Sequence, residues 1–324
     1  MEAKALSTSM QNEPQITSQT SVIDREGDLY MGLDHGALLV SRKALCLGSP
    51  VLLAMLGDDS QFSERIARKT GSDGVQIIRF QDDDFSAMQV VVNIMHLQND
   101  KVPQNVSFQQ LHQIAILCDK YDLKRCLGYW PEKWTAPWLE SYSKTGHEAM
   151  LFISITFKLT SAFEDITAHL IRNTTVSSSG SLVTLSEVEI GEGVSSKIID
   201  QIRARREKAI FAVRDLCWRE LCALRNSNIK RVCNRSQSRA YDAANLGCLS
   251  QQFPNLCNPR NDTEYRSETL MDLVEATKKI YDFVDTIDLR RGHWSRDHFS
   301  CSVGPRLAIG AEKILGGVHG LKLD

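Results

Sequence analysis

Ser49-Pro50 interrupts an otherwise continuous apolar stretch, ALCLGSPVLLAML, at residues 44–56. Proline is tolerated in the first turn of a helix. In the interior it removes a hydrogen bond and its ring meets the carbonyl four residues back. The stretch therefore cannot be one buried helix. A serine followed by proline suits an N-cap and a first helical position, so two short helices are expected, RKALCLG and then SPVLLAML.

The flanking segments take their meaning from that break. DLYMGL (28–33) and ALLVS (37–41) are strand-like runs separated by Asp34-His35-Gly36, the pattern of a β-hairpin with a tight turn. VQIIRF (75–80) reads as a further strand beyond a polar, glycine-containing loop at 57–74. Phe85, Met88, Val91, Val92 and Met95 recur at helical spacing after Asp82-Asp83-Asp84, an acidic start that suits the helix dipole. Pro103 breaks the chain and Ser107 can cap the next helix, LHQIAILCDKY. Trp130, Trp134 and Trp138 follow at i, i+4 and i+8, on a short helix that Pro131 can begin and Pro137 would end. The stripe is expected to be a clamp between domains rather than a ligand cage.

After Pro137 the character changes to helices. They are expected at 146–158, 161–173, 197–225 and 268–287. SLVTLSEVEI (181–190) carries the one strand-like pattern of this half, inside a Ser/Gly-rich connection at 173–196 that is expected to be flexible. Residues 1–22 are polar and rich in Gln, Ser and Thr, the composition of a disordered tail, with order beginning near Asp24. The expected division is thus a tail at 1–22, an α+β domain at 23–140 and a mostly α-helical region at 141–324.

The order of these motifs resembles the BTB/POZ domain. GDLYMGL (27–33) is similar to the opening strand of that family after an acidic-glycine turn. VSRKALCLGSPVLLAML (40–56) resembles its strand end and paired short helices. VQIIRFQDDDFSAMQVVVNIMH (75–96) and VPQNVSFQQLHQIAILCDKYDLKRCL (102–127) resemble its third strand and closing helices. Lys120-Tyr121-Asp122, with the tryptophan-rich WPEKW behind it, resembles the filamentous-fungal branch. The resemblance implies an N-terminal BTB/POZ fold, a small sheet with helical hairpins, that works as a non-catalytic protein–protein interaction module. It also implies an adaptor role between a cullin-type ubiquitin ligase and a partner, or self-association. Phe62-Ser63-Glu64 sits where the family carries a hydrophobic-x-Glu contact, so Phe62 and Glu64 are the expected partner-binding residues. The polar first 22 residues show neither the extra helix nor the extra strand of longer family members.

The remaining candidates for chemistry have structural explanations. Asp82, Asp83 and Asp84 are adjacent, and adjacent carboxylates cannot all face one cation, so capping is expected. Cys118 lies on an apolar helix and is expected in the core, eight residues from Cys126. Tyr121 is expected to plug the turn after that helix, with Asp119 and Lys120 solvated. Residues 197–239 hold twelve basic and four acidic side chains, a net of +8. The alternative function is therefore a nuclear, transcription-associated regulator that contacts nucleic acid through this segment. Its amphipathic pattern favours a solvated helix face, with Arg206 and Glu220 near the apolar stripe and paired to other helices.

The nine cysteines are odd in number and form no CxxC pair, the pattern of reduced thiols in cytoplasm or nucleus. No metal is expected. The alternative is a structural zinc on Cys217, Cys222, His298 and Cys301, for which no second tight pair completes the set. No phosphate-binding glycine loop, metalloprotease HExxH or nucleophile elbow occurs, so no catalytic residue, cofactor or small-molecule substrate is expected. The longest apolar run, 149–157, ends at Lys158 and is under half a membrane span of about 20 residues. Protein partners are the expected ones. Basic and acidic side chains nearly balance, at 38 and 40, which does not favour nucleic acid or membrane.

Overall fold

The computed structural model describes residues 20–57, 69–70, 73–226, 238–252, 267–289 and 303–323. The chain divides into two compact units, Met1–Trp138 and Leu139–Asp324, mixed α+β in the first and mainly helical in the second. Phe62 and Glu64, and His298 and Cys301 of the zinc alternative, lie outside the described residues.

The first unit holds a five-stranded sheet. Its strands are β1 (Thr20–Val22), β2 (Leu29–Leu33), β3 (Gly36–Val40), β4 (Lys69–Thr70) and β5 (Gln76–Arg79). They lie in the order β1-β3-β2-β5-β4. The hairpin β2/β3 is antiparallel, with Leu29 opposite Val40 and Leu33 opposite Gly36. Alternation sends Leu29, Met31, Leu38 and Val40 to the core, all with no exposed surface. β5 runs parallel to β2, so the chain must cross over between β3 and β5. The crossover carries α1 (Arg42–Gly48) and α2 (Pro50–Leu56).

Ser49 does what the sequence requires of it and one thing more. Its hydroxyl oxygen accepts from the Leu52 amide at 2.9 Å as the N-cap of α2. The same hydroxyl donates to the carbonyl of Tyr121, 72 residues away, at 2.6 Å. α3 (Phe85–Met95) is capped by the side chain of Asp84, and α4 (Phe108–Tyr121) by that of Ser107. Asp122 closes α4 in the left-handed region at φ 50°, a conformation that aspartate tolerates. α5 (Lys124–Leu127) ends at Gly128, whose φ of 55° and ψ of −121° suit only glycine, and α6 (Trp130–Thr135) begins two residues later.

β1 corrects the expectation of a disordered segment reaching residue 22. Thr20–Val22 pairs in parallel with Ala37–Leu39, and the amides of Ile23 and Asp24 both donate to the Leu39 carbonyl. Its three residues are too few for periodicity to register. The pairing edge of β3 creates the strand, and Ile23 anchors it at 5% exposure. β4 was not foreseen either, for the same reason of length.

The second unit contains α7 (Met150–Thr156), α8 (Thr160–Asn173), α9 (Ser196–Arg225), α10 (Ser238–Gln252), α11 (Leu270–Leu289) and α12 (Val303–Gly316). α9 spans about 45 Å at 1.5 Å per residue. Its stripe of Ile202, Ile210, Val213, Cys217, Leu221 and Leu224 faces the core. The helix expected at 146–158 is shorter, because Gly146 and Lys158 both hold positive φ and end it. α10 and α12 were not anticipated.

The connection at 173–196 is built rather than flexible. β6 (Thr175–Val176) pairs antiparallel with β7 (Leu182–Val183), and Val183 bridges to Glu189. Gly180 supplies a positive φ in the turn, and Leu182, Val183 and Ile190 bury the hairpin on the helices. At the C-terminus, residues 317–323 strap back over α8. The Leu321 amide donates to Thr167 Oγ1 at 2.8 Å. A Cβ on Gly320 would lie 1.8 Å from the Glu164 carbonyl oxygen, so only glycine allows this approach.

Tyr121 completes the first unit. It is 5% exposed, and its hydroxyl donates to Asp83 Oδ2 at 2.5 Å. Tyr121→Phe removes this donor and leaves a buried carboxylate oxygen unmet. Denaturant unfolding should show a loss of about 1–3 kcal/mol. A change within about 0.5 kcal/mol would show that the bond adds nothing.

Candidate functional site

Three regions concentrate polar or exposed features. The first is a buried corner behind α4. Asp83 is 6% exposed and accepts from both Tyr121 and Lys120, whose Nζ lies 2.7 Å from Oδ1. Of the three adjacent aspartates only Asp84 caps a helix, accepting from the Ala87 amide at 2.7 Å, while Asp83 turns inward. Lys120 keeps 44% of its side chain exposed, as expected of a solvated charge, and also pairs its ammonium with Asp83. Burial, with the bond to Asp83, pushes the Tyr121 phenol far above its usual range. Burial likewise raises the Cys118 thiol to about 11, so it is an unreactive core atom. Cys126 is raised by burial too. Nothing in this corner opens a reacting position.

The second region is the α1–α2 surface. Leu47 is 81% exposed, Leu53 53% and Val51 40%, on two helices joined by the Ser49 tie. Leu45, Leu52 and Leu56 on the same helices are buried. The expected partner-binding Phe62 and Glu64 follow α2 in the chain, outside the described residues. The tryptophans have these partners within the first unit. Trp134 is 1% exposed and donates to the Pro103 carbonyl at 2.9 Å. Trp130 stacks on Trp134, and Trp138 meets Phe108 edge to face.

The third region is a cavity of about 330 Å³ in the second unit. The loop Tyr142–Glu148, one face of α8 and the segment Thr184–Ile190 form its walls. His169 and Asn173 stand one turn apart on α8. Asn173 Nδ2 donates to the His169 carbonyl at 3.0 Å and lies 3.1 Å from His169 Nδ1. The carbonyl can only accept, which fixes the amide NH₂ at that position. Nδ1 must then accept the second amide hydrogen, and in the neutral ring the proton resides on Nε2. Burial, helped by the positive charge of Arg172, lowers the His169 pKa and favours that neutral ring. Tyr142 packs edge to face on the imidazole, with centroids 5.5 Å apart. Thr145 and Ser186 join hydroxyls across the two loops at 3.2 Å. The sequence reading did not foresee this cavity. Its walls come from segments about 40 residues apart, and no motif spacing links them.

The basic helix α9 spends much of its charge internally. Arg206 has no exposed surface and donates to the carbonyls of Thr174 at 2.8 Å and Glu268 at 2.5 Å. Burial lowers its pKa to about 10, which still leaves it charged at neutral pH. Arg214 is also buried and pairs with Glu268 at 3.0 Å. Arg203 donates to the Gly180 carbonyl and Arg205 to those of His319 and Gly320. Glu220 pairs with Arg306 of α12 at 2.8 Å, as expected, while Arg206 takes carbonyls that flank α8 and α11. Cys217 is 1% exposed on the core face of α9, which competes with ligation. Among the described residues no group of three metal-ligating side chains converges. None of the described helices is long and apolar enough to cross a membrane.

No protein-family model, no curated protein and no solved structure matches this chain.

Two outcomes are expected. Arg206→Met leaves the carbonyls of Thr174 and Glu268 without this donor and should cost about 2–4 kcal/mol in chemical denaturation, with Arg206→Lys recovering less than half. His169 has a folded pKa below its ordinary 6.5. Its contribution to stability is thus complete above 6.5 and lost as pH falls below it, because the unfolded chain takes up the proton first. Thermal unfolding across that range should show a steeper acid loss for wild type than for His169→Gln; equal slopes would remove the assignment.

Proposed function

We propose that the first unit is a protein–protein interaction module of the BTB/POZ type, working as an adaptor toward a cullin-type scaffold. The observation that carries this reading is the exposure of Leu47 and Leu53 on α1 and α2, two helices held rigidly by their own buried leucines. Their other faces are anchored, so these side chains are offered to a partner with little ordering cost on binding. The order of hairpin, paired short helices, parallel strand and closing helices adds support, as it follows the motif order of the resemblance. Phe62 and Glu64 add an apolar anchor and a charge to the segment after α2.

A pull-down with a purified cullin N-terminal region tests the proposal. Leu47→Glu with Leu53→Glu, and separately Phe62→Ala with Glu64→Ala, should each weaken capture by tenfold or more, about 1.4 kcal/mol. Circular dichroism should stay unchanged for the leucine pair, because both side chains lie at the surface. Capture as strong as wild type in both variants removes the adaptor assignment. Light scattering of the same proteins reads self-association independently.

A further inference from the structure

We propose that the cavity of the second unit is a binding site for a small organic acid, an apolar or aromatic body carrying one carboxylate. The site is separate from the interaction surface of the first unit and does not depend on its role.

The size sets the first limit. At about 330 Å³ the cavity lies at the small end of ligand sites. A compact molecule fits, and an extended cofactor does not. The lining sets the second. Ile166, Leu170, Leu185 and Ile190 give apolar walls. Leu185 is 71% exposed although it borders the cavity, so an apolar body there would cover a side chain that the fold leaves in water. The Tyr142 ring extends that wall.

The polar groups select the charge. Asn173 holds Nδ1 of His169 as an acceptor, which leaves Nε2–H as the donor of a locked ring. No partner for Nε2 is found among the described residues. Lys144, an exposed residue, belongs to the same lining. The one carboxylate in the lining, Glu148, has Oε1 engaged by the Gly146 amide at 3.1 Å. An orientation-locked N–H with a lysine side chain within reach of the rim suits a carboxylate, through charge-assisted bonds. Thr145 and Ser186 tie the loops on either side, which holds the walls at a fixed separation.

Calorimetric titration of the full-length protein with hexanoate, benzoate and phenylacetate tests this, with phenylacetamide and phenethylamine as controls. At least one acid should bind saturably at one site per chain, and its amide or amine counterpart about tenfold or more weaker. Lys144→Met, an exposed position, should weaken the acid about tenfold, and His169→Phe, which keeps the ring packing, should do the same. Thermal melting shows whether His169→Phe is folded; Lys144→Met carries the test alone if it is not. Absence of saturable binding by all three acids at millimolar concentration overturns the proposal. So does equal binding of phenylacetate and phenylacetamide, or acid binding that Lys144→Met leaves unchanged.

Discussion

The first unit depends on a single residue that is used at both ends. Tyr121 accepts the Ser49 hydroxyl at its backbone carbonyl and donates its phenol to Asp83. The last turn of a helix leaves carbonyls without intrahelical partners, and burial would make such a group costly. Ser49 supplies the donor, and does so while its oxygen caps α2. Asp83 would be a buried charge without Tyr121 and Lys120. One side chain and one carbonyl therefore hold the α1–α2 turn and the entrance of α3 against α4. The exposed leucines of α1 and α2 inherit their rigidity from this tie.

The second unit solves a similar problem with a cation. Arg206 is buried on a long helix, and a buried guanidinium without acceptors is strongly unfavourable. It takes the carbonyl at the end of α8 and the carbonyl just before α11. The hairpin that follows α8, the long helix and α11 are thereby tied to one another, with Arg214 adding a second bond to Glu268. Arg205 extends the same use of α9 to the C-terminal strap. Arg203, Arg205, Arg206 and Arg214 of this basic segment thus serve as internal fasteners.

The legible parts of the sequence were those in which local chemistry and burial agree. Ser49-Pro50, Ser107 and the helical spacing of α3, α8 and α9 located elements to within a few residues, because caps and apolar stripes are local signals. The break after Pro137 stood close to the division after Trp138 for a related reason, the change from mixed to helical patterning. β1, β4 and β6 escaped because two or three residues carry no period, whereas β7 lies within the strand-like run 181–190. They form only where a partner edge, or a turn glycine such as Gly180, is already in place. Asp83 was read as part of a cap because its neighbour Asp84 is one. Which of three consecutive carboxylates turns inward is decided by Tyr121, 38 residues on. The cavity was invisible for the same reason: His169 and Asn173 are ordinary polar residues of an amphipathic helix until the loop at 142–148 folds over them.

An exposed leucine by itself says little, since much of any protein surface is apolar. Leu47, Leu53 and Leu185 differ from that background in what surrounds them. Leu47 and Leu53 stand on short helices whose opposite faces are fully buried and whose junction is tied to α4, so they form a fixed surface suited to a macromolecule. Leu185 stands at the edge of a partly open concave volume beside a histidine with an imposed tautomer, an arrangement suited to a small molecule. The same residue type at similar exposure thus points to two kinds of ligand. The shape and polarity of the supporting structure make the distinction, and hydropathy alone cannot.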